Sequence, residues 1–309
     1  MKLWRHMRAL WPRYTLLPVA PFVVWTLFWL LRGQLRWDHM AVCLIAFVTA
    51  YGGRTAKRLY FGVLPLGLVG LLYDAMRFVA NVGLSESTVH LCDLRALEMK
   101  LFGITSNGIR QTLHDWAQAN ARPAWDVFFA IPYGVFIYAV LGFEIFLFVR
   151  NYRAALRFTW GFLFLNVLGF LTYHIYPAAP PWYFHKYGCV VDLHAHASPG
   201  ANLLRVDQMM GLPYFSGFYG RSSDVFGAVP SLHVAYPLLM TIEGWKGRSL
   251  TGRLCLVGFY LWMCSAAVYL DHHWVVDIVL GTLYTLLVVV LMRKFRYFRG
   301  TESKSAAAG

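Results

Sequence analysis

The chain of 309 residues is 58% hydrophobic and only 14% charged, whereas soluble domains are about 45–50% apolar and about 25% charged. Its formal net charge of +13 comes from lysines and arginines that fall in short clusters between long apolar segments. Clusters of this kind follow the positive-inside rule for membrane proteins. The composition excludes a soluble domain and predicts a polytopic membrane protein, so we do not interpret the basic charge as a nucleic-acid surface.

A helix needs roughly 20 apolar residues to cross the hydrocarbon core of a membrane. Eight stretches approach this length, and we therefore predict an all-α integral membrane protein with about eight transmembrane helices. The stretches lie at 14–32, 38–53, 60–82, 125–149, 157–176, 229–245, 254–272 and 273–292. The first stretch follows a basic start and has no small-residue cleavage site, which predicts a retained helix and not a signal peptide.

Basic residues are concentrated in the loops on the same side as the N-terminus. By the positive-inside rule, both termini are cytoplasmic, and segments 83–124 and 177–228 and the turn at 270–273 lie outside. Apolar residues at helical spacing in the first outer segment predict helices at the membrane interface. In a bacterial host, the protein would lie in the inner membrane with these segments at the periplasmic face; elsewhere, they would be lumenal.

Two of the five cysteines, Cys92 and Cys189, fall in the outer segments. In an oxidising compartment they can form a disulfide. Two unpaired thiols are an equally good interpretation, so the sequence leaves the pairing open. No cysteine pair has metal-ligand spacing, and we expect neither a metal nor another cofactor.

The stretch YLDHHWVVDIVLG, residues 269–281, places ionisable side chains within the last apolar hairpin. His273 and Asp277 are four residues apart, a spacing that puts both on one face of a helix. A carboxylate there can hold one ring nitrogen of the histidine and leave the other free to react. The alternative is a structural polar pair between helices, although ionisable groups within spans are candidates for functional sites.

The stretch FGAVPSLHVAYPLL covers residues 226–239. Pro230 is predicted in the first turn of a helix, so Ser231 and His233 lie in that turn too. Free N–H groups and the positive dipole of a helix start favour a phosphate. By the predicted topology, His233 and His273 meet at the outer surface, where one imidazole can attack phosphorus and the other can protonate the leaving oxygen.

The motifs PSLH and HHWVVD resemble the two C-terminal motifs of the type-2 phosphatidic acid phosphatase superfamily, in a core that runs from about residue 60 to 292. The resemblance implies a six-helix core with a phosphohistidine intermediate. By position, His273 would be the nucleophile, Asp277 its orienting partner and His233 the acid and base.

On this basis the chain is expected to have three parts. Residues 1–58 would form the N-terminal segment and two extra transmembrane helices, and 59–299 the six-helix catalytic core. The outer segments 83–124 and 177–228 belong to that core. Residues 300–309 would form a flexible tail.

The departures from the superfamily pattern are informative. Its arginine six residues before the second histidine falls on Ala267, and its first motif, with a lysine and an Arg-Pro pair, has no clean counterpart. A phosphomonoester dianion would be poorly neutralised without these cations, whereas a phosphodiester carries only one negative charge. The segments YPAAPPW, FGAVPSLH and YLDHHWVVD are instead similar to the inositol phosphorylceramide synthase branch. This resemblance implies transfer of a phosphorylated headgroup from a phospholipid to a lipid alcohol such as ceramide.

Four further residues are candidates for substrate binding: Arg221, Lys186, Ser231 and His272. Arg221 and Lys186 would neutralise the phosphate, although each is also explained as an ordinary cation of a loop near lipid headgroups. Ser231 would contribute at the helix start. His272 would contact the polar headgroup, or have only an interfacial role.

Two other functions remain open on the sequence alone. One is a lipid phosphate or polyprenyl pyrophosphate phosphatase, and the other is a non-enzymatic lipid transporter. The transporter is disfavoured because the chain has no internal repeat and its polar residues gather at one face. Inositol, glycerol, ethanolamine and choline are all possible headgroups, diacylglycerol is a possible acceptor beside ceramide, and the oligomeric state is undetermined.

Overall fold

The computed structural model describes residues 2–80, 82–195, 198, 200–220 and 224–294. The predicted tail at 300–309 and the candidate Arg221 lie outside these residues. Apart from one short hairpin, the regular elements of the described residues are helices. Its helices are α1 (Lys2–Leu10), α2 (Ala20–Leu31), α3 (Trp37–Tyr51), α4 (Arg54–Val79), α5 (Cys92–Phe102), α6 (Leu113–Ala119), α7 (Pro123–Arg150), α8 (Tyr152–Ile175), α9 (Pro181–Tyr187), α10 (Leu203–Met210), α11 (Tyr214–Tyr219), α12 (Leu232–Gly244), α13 (Leu250–Tyr269) and α14 (Val275–Lys294). The strands are β1 (Ile104–Ser106) and β2 (Ile109–Gln111).

Five of the described helices, α4, α7, α8, α13 and α14, are long and apolar enough to cross a membrane. Helices α2 and α3 are apolar but shorter. The protein is therefore a mostly helical integral membrane protein, as the composition predicts. Each of the eight predicted stretches overlaps one helix, but eight crossings and cytoplasmic termini stay predictions.

The chain forms two compact units, one ending at Ala75 and the other beginning at Met76, so that the boundary lies within α4. In the first unit, Ala50, Tyr51 and Tyr60 belong to one buried apolar cluster. The division predicted at residues 58 and 59 stays a prediction.

In the second unit, α12 is the central helix of a bundle and contacts α7, α8, α13 and α14. Its side chains are buried nearly all round, as expected of an interior helix. Glycines of α8 allow a close approach, because a Cβ at Gly169 would lie 3.0 Å from Leu232 and one at Gly161 would lie 3.2 Å from Leu239. The start of α12 thereby comes to lie beside the turn between α13 and α14.

The outer segment at 83–124 contains helices α5 and α6, and the β1–β2 hairpin separates them. The hairpin was not predicted, although its turn residues Asn107 and Gly108 both have positive φ and form the Asn-Gly pair typical of two-residue hairpins. Cys92 and Cys189 form a disulfide with their Cα atoms 5.7 Å apart. Of the two interpretations that the sequence left open, the structure contains the bonded pair, which joins the start of α5 to the chain just after α9.

Candidate active site

His273 lies in the histidine loop, residues 270–274, which connects α13 to α14. The prediction that His273 shares a helix face with Asp277 is therefore wrong, since α14 begins only at Val275. The backbone N–H groups of His272 and His273 both donate to the carbonyl of Ala267, at 3.0 and 3.2 Å. That carbonyl belongs to the last turn of α13, and it turns the chain out of the helix before His273.

The nearest acceptor to the His273 Nδ1 atom is the backbone carbonyl of Ala228, at 3.0 Å. The Asp277 Oδ2 atom lies 3.6 Å from the same nitrogen, which is too long for a hydrogen bond. Asp277 instead accepts the N–H of Trp274 at 2.9 Å. The orienting hydrogen bond thus comes from a backbone carbonyl, and Asp277 supplies a buried negative charge beside the ring.

His233 lies in the first turn of α12, and Ser231 is the N-cap residue. Pro230 stands before the helix and follows a cis peptide bond, so the prediction that it occupies the first turn is wrong. The reason is a contact between helices: the N–H of Ser231 donates to the carbonyl of Asp277 at 3.0 Å, which holds this stretch against α14 before α12 begins. The His233 Nδ1 atom lies 3.2 Å from the His273 Nε2 atom.

Aromatic rings pack against His233 and against the neighbouring His272. The Tyr133 ring lies 4.7 Å from His233 and 4.6 Å from His272, centroid to centroid, and Phe136 lies 5.1 Å from His233. Tyr219 is 6.0 Å from His233. Sequence reasoning missed these rings, because in a chain that is 17% aromatic no spacing sets them apart.

His272 is not free to reach a ligand with both nitrogens. Its Nε2 atom donates to the carbonyl of Gly200 at 3.2 Å, and its ring packs on Tyr133. Burial, and then the charge of His273, lower the pKa of His272 to about 3. His272 therefore forms part of the wall beside His233 and His273, and a headgroup contact from it stays a prediction.

The other predicted phosphate ligands differ in their placement. Ser231 is buried at the start of α12, and its hydroxyl has no hydrogen-bond partner among the described residues. Lys186 is exposed on α9, where its ammonium lies 4.8 Å from the centroid of Tyr187. This contact agrees with an interfacial cation, and phosphate binding by Lys186 stays a prediction. The preceding residue, His185, contacts the Asp271 side chain in the histidine loop, and the sequence reasoning overlooked it.

Residues 108–291 match the family model described as the PAP2 superfamily. The chain belongs to this superfamily. The match covers α6 to α14 and contains both histidines of the site. The expected membership is thus confirmed.

Among PAP2 relatives, the chain is 34% identical to the phosphoinositol dihydroceramide synthase of Bacteroides thetaiotaomicron, over 86% of this chain and 88% of that protein. It is 28% identical to the catalytic subunit of the inositol phosphorylceramide synthase of Schizosaccharomyces pombe, over 84% of this chain and 60% of that protein. It is also 28% identical to the inositol phosphorylceramide synthase of Candida albicans, over 82% of this chain and 52% of that protein. No solved structure gives a significant match.

Proposed function

We propose that this protein transfers a phosphoinositol headgroup from a phospholipid to a ceramide-type lipid alcohol. The observation that carries the proposal is the contact of two imidazoles, with 3.2 Å between His233 Nδ1 and His273 Nε2, in a PAP2 chain. The relatives support the substrate class, because their names specify phosphoinositol or inositol phosphate together with a ceramide. Both lipids dissolve in the membrane in which the protein is embedded.

The hydrogen bonds of His273 support its Nε2 atom as the nucleophile. A backbone carbonyl can only accept, so the Nδ1 atom that contacts Ala228 carries the ring hydrogen. The Nε2 atom then holds the lone pair, and it faces His233. Attack of this atom on phosphorus makes the His273 ring cationic, and the buried Asp277 carboxylate 3.6 Å away offsets that charge.

His233 balances the protons of both steps. The phosphodiester takes the place of the contact between the rings, and its negative charge favours the imidazolium form of His233. As the N–P bond to His273 forms and the P–O bond to diacylglycerol breaks, His233 donates its proton to the leaving oxygen. In the second step, neutral His233 removes the proton of the acceptor hydroxyl, whose oxygen attacks phosphorus while the N–P bond breaks. The imidazolium at His233 also offsets the single charge of the diester.

The start of α12 would stabilise the phosphoryl oxygens. Its first-turn N–H groups and the Ser231 hydroxyl, which has no partner among the described residues, are donors of the kind that bind phosphate. Arg221 would add a cation from the second outer segment, and Lys186 would attract the anionic headgroup to the interface. The rings of Tyr133, Phe136 and Tyr219 would exclude water, which would otherwise hydrolyse the intermediate.

The disulfide between Cys92 and Cys189 supports an outer location for the site, because disulfides persist in oxidising compartments. Asp271, two residues before His273, joins the histidine loop to α9 through His185, just before Cys189. We place the reaction at the periplasmic or lumenal face, with both termini in the cytoplasm.

A lipid-transfer assay tests the function. Purified protein is incubated in phosphatidylcholine vesicles with headgroup-labelled phosphatidylinositol, with and without ceramide. Label in a new lipid only when ceramide is present supports transfer. Label released into water without a new lipid would show hydrolysis in place of transfer. The absence of turnover with any lipid phosphate, including phosphatidic acid and a polyprenyl pyrophosphate, would support a non-enzymatic role.

The nucleophile has a separate test. His273→Ala should abolish turnover and any covalent label on the protein, whereas His233→Ala should slow both steps. The matched control is His194→Ala, at an exposed histidine in the segment 177–228, which should keep wild-type turnover. Turnover by His273→Ala would refute the phosphohistidine mechanism.

A further inference from the structure

A network of ionisable side chains lies behind the histidine loop, apart from the two catalytic imidazoles. It consists of Arg95, Glu98, Asp115, His114, His185 and Asp271, and we call it the outer charge network. Arg95 donates to both carboxylate oxygens of Asp115, at 3.1 and 2.8 Å. His185 then joins Asp115, at 3.0 Å, to Asp271, at 2.6 Å.

Asp271 holds the first half of the histidine loop. Its backbone φ is +66°, a value that residues other than glycine seldom adopt, and only 2% of the residue is exposed. Its carboxylate contacts His185 and lies 3.5 Å from the Nδ1 atom of His114, while its carbonyl accepts the N–H of Trp182 at 3.1 Å. These contacts secure an uncommon backbone conformation two residues before His273.

Glu98, on helix α5, holds the start of α14 directly after the histidine loop. Its side chain is fully buried, and its two carboxylate oxygens accept the N–H groups of Val275 and Val276, at 3.1 and 3.2 Å. The first N–H groups of any helix lack partners within the helix. Within this stretch, the Asp277 carboxylate accepts the N–H of Trp274. The N–H groups of Val275 and Val276 are instead capped by the Glu98 carboxylate of α5.

His114 lies between Asp271 and Glu98. It is fully buried, with Nδ1 3.5 Å from Asp271 and Nε2 3.8 Å from Glu98. Its ring lies edge-on to Trp274 at 5.2 Å, and the indole N–H of Trp274 donates to the carbonyl of Ala179 at 2.9 Å. Trp274, which follows His273, is thereby held through both its backbone and its side chain.

We propose that Glu98 is a positioning residue, which clamps the first turn of α14 so that His273 and Asp277 keep the geometry needed for attack on phosphorus. The inference rests on the proposed function. The described hydrogen bonds of Glu98 are to backbone N–H groups and not to either catalytic histidine, so Glu98 acts through the loop. A displacement of about 1 Å at a reacting group can cost about 100-fold in rate. Loss of the clamp should therefore lower kcat and leave substrate affinity nearly unchanged.

The decisive variant is Glu98→Gln, which has the same shape but keeps only one acceptor oxygen for two N–H groups. In vesicles with labelled phosphatidylinositol and ceramide, we expect kcat to fall about 10- to 100-fold and KM to stay within about twofold. Glu98→Leu should lose more, since it has no acceptor. Hydrogen exchange measured on peptides covering residues 271–280 should become faster in Glu98→Gln, because one of the two N–H groups loses its acceptor.

The matched control is Glu243→Gln, which breaks the ion pair between Glu243 and Arg157, 2.7 Å apart, at another part of the bundle. It lowers stability without touching the histidine loop, so kcat should stay within about twofold of wild type. An equal loss of kcat in both variants, or unchanged exchange at 271–280 in Glu98→Gln, would overturn the clamp. If the wild type transfers no headgroup, the proposed function fails, and the exchange measurement alone still decides whether Glu98 holds α14.

Discussion

The charge of His185 should make the stability of the protein depend on pH in a defined window. His185 lies between the carboxylates of Asp271 and Asp115, at 2.6 and 3.0 Å. Burial alone lowers the pKa of His185, but hydrogen bonds and charge from the two aspartates outweigh it and raise the pKa to about 9. Burial alone raises the pKa of Asp115 and of Asp271. The interactions with His185, together with Arg95 at Asp115 and His114 at Asp271, outweigh burial and lower both pKa values. Arg95, on Asp115, and His114, beside Asp271, are the other ionisable groups that face the cluster.

The raised pKa of His185 decides the direction in which stability changes with pH. The contribution of protonated His185 is complete below the ordinary pKa of 6.5 and disappears as the pH rises through about 9. The change in pKa corresponds to roughly 3.5 kcal/mol, at about 1.4 kcal/mol per pH unit. Because 27% of the side chain is exposed, solvent screens the pair, and about 1–2 kcal/mol is a better expectation.

The test compares the wild type with His185→Gln, which keeps a donor but carries no charge. Thermal unfolding in lipid nanodiscs is followed from pH 6 to pH 10. The wild type should be more stable by a few degrees in Tm near pH 6.5, and the difference should vanish above about pH 9.5. His194→Gln, at an exposed histidine, is the control and should follow the wild type. A difference that stays constant over the whole range, or grows in alkali, would refute the assignment of a charged His185.

Two further predictions concern the fold around the site. Cys92→Ser should remove the bond to Cys189, abolish the mobility difference between reduced and unreduced samples, and lower the free energy of unfolding by about 2–5 kcal/mol. Gly281→Ala should destabilise the protein by about 2 kcal/mol or more and reduce turnover, because its Cβ would clash with the carbonyl oxygen of Ser231 at the start of α12. Gly258→Ala, where a Cβ would meet nothing within 4 Å, should be neutral or slightly stabilising in the same unfolding measurement. Equal effects of the two glycine substitutions would contradict the close packing of α12 on α14.

The sequence alone was sufficient for the membrane class and for the family. Apolar runs of membrane length depend only on composition, and each predicted run overlaps a helix of the structure. The motifs around His233 and His273 placed the chain in the PAP2 superfamily because both are short and local, so they can be read without knowing the fold.

Local spacing was a weaker guide to the geometry of the site. The four-residue interval between His273 and Asp277 predicts one helix face, but the carbonyl of Ala267 draws the chain out of α13 and delays α14 until Val275. Pro230 was likewise predicted inside α12, whereas a bond from Ser231 to α14 postpones the helix start. In both cases a contact with another helix outweighed the local preference.

Contacts between distant segments were decided by the tertiary structure. The Ala228 carbonyl that orients His273 belongs to the backbone, which has the same chemistry in every residue and therefore leaves no trace in the sequence. Glu98 is separated from Val275 by 177 positions, and only the packing of α5 against α14 brings its carboxylate to those N–H groups. The sequence by itself thus determined the membrane class, the family and the motifs that hold the candidate residues. The tertiary structure decided which atoms face each other, because that depends on how the helices pack.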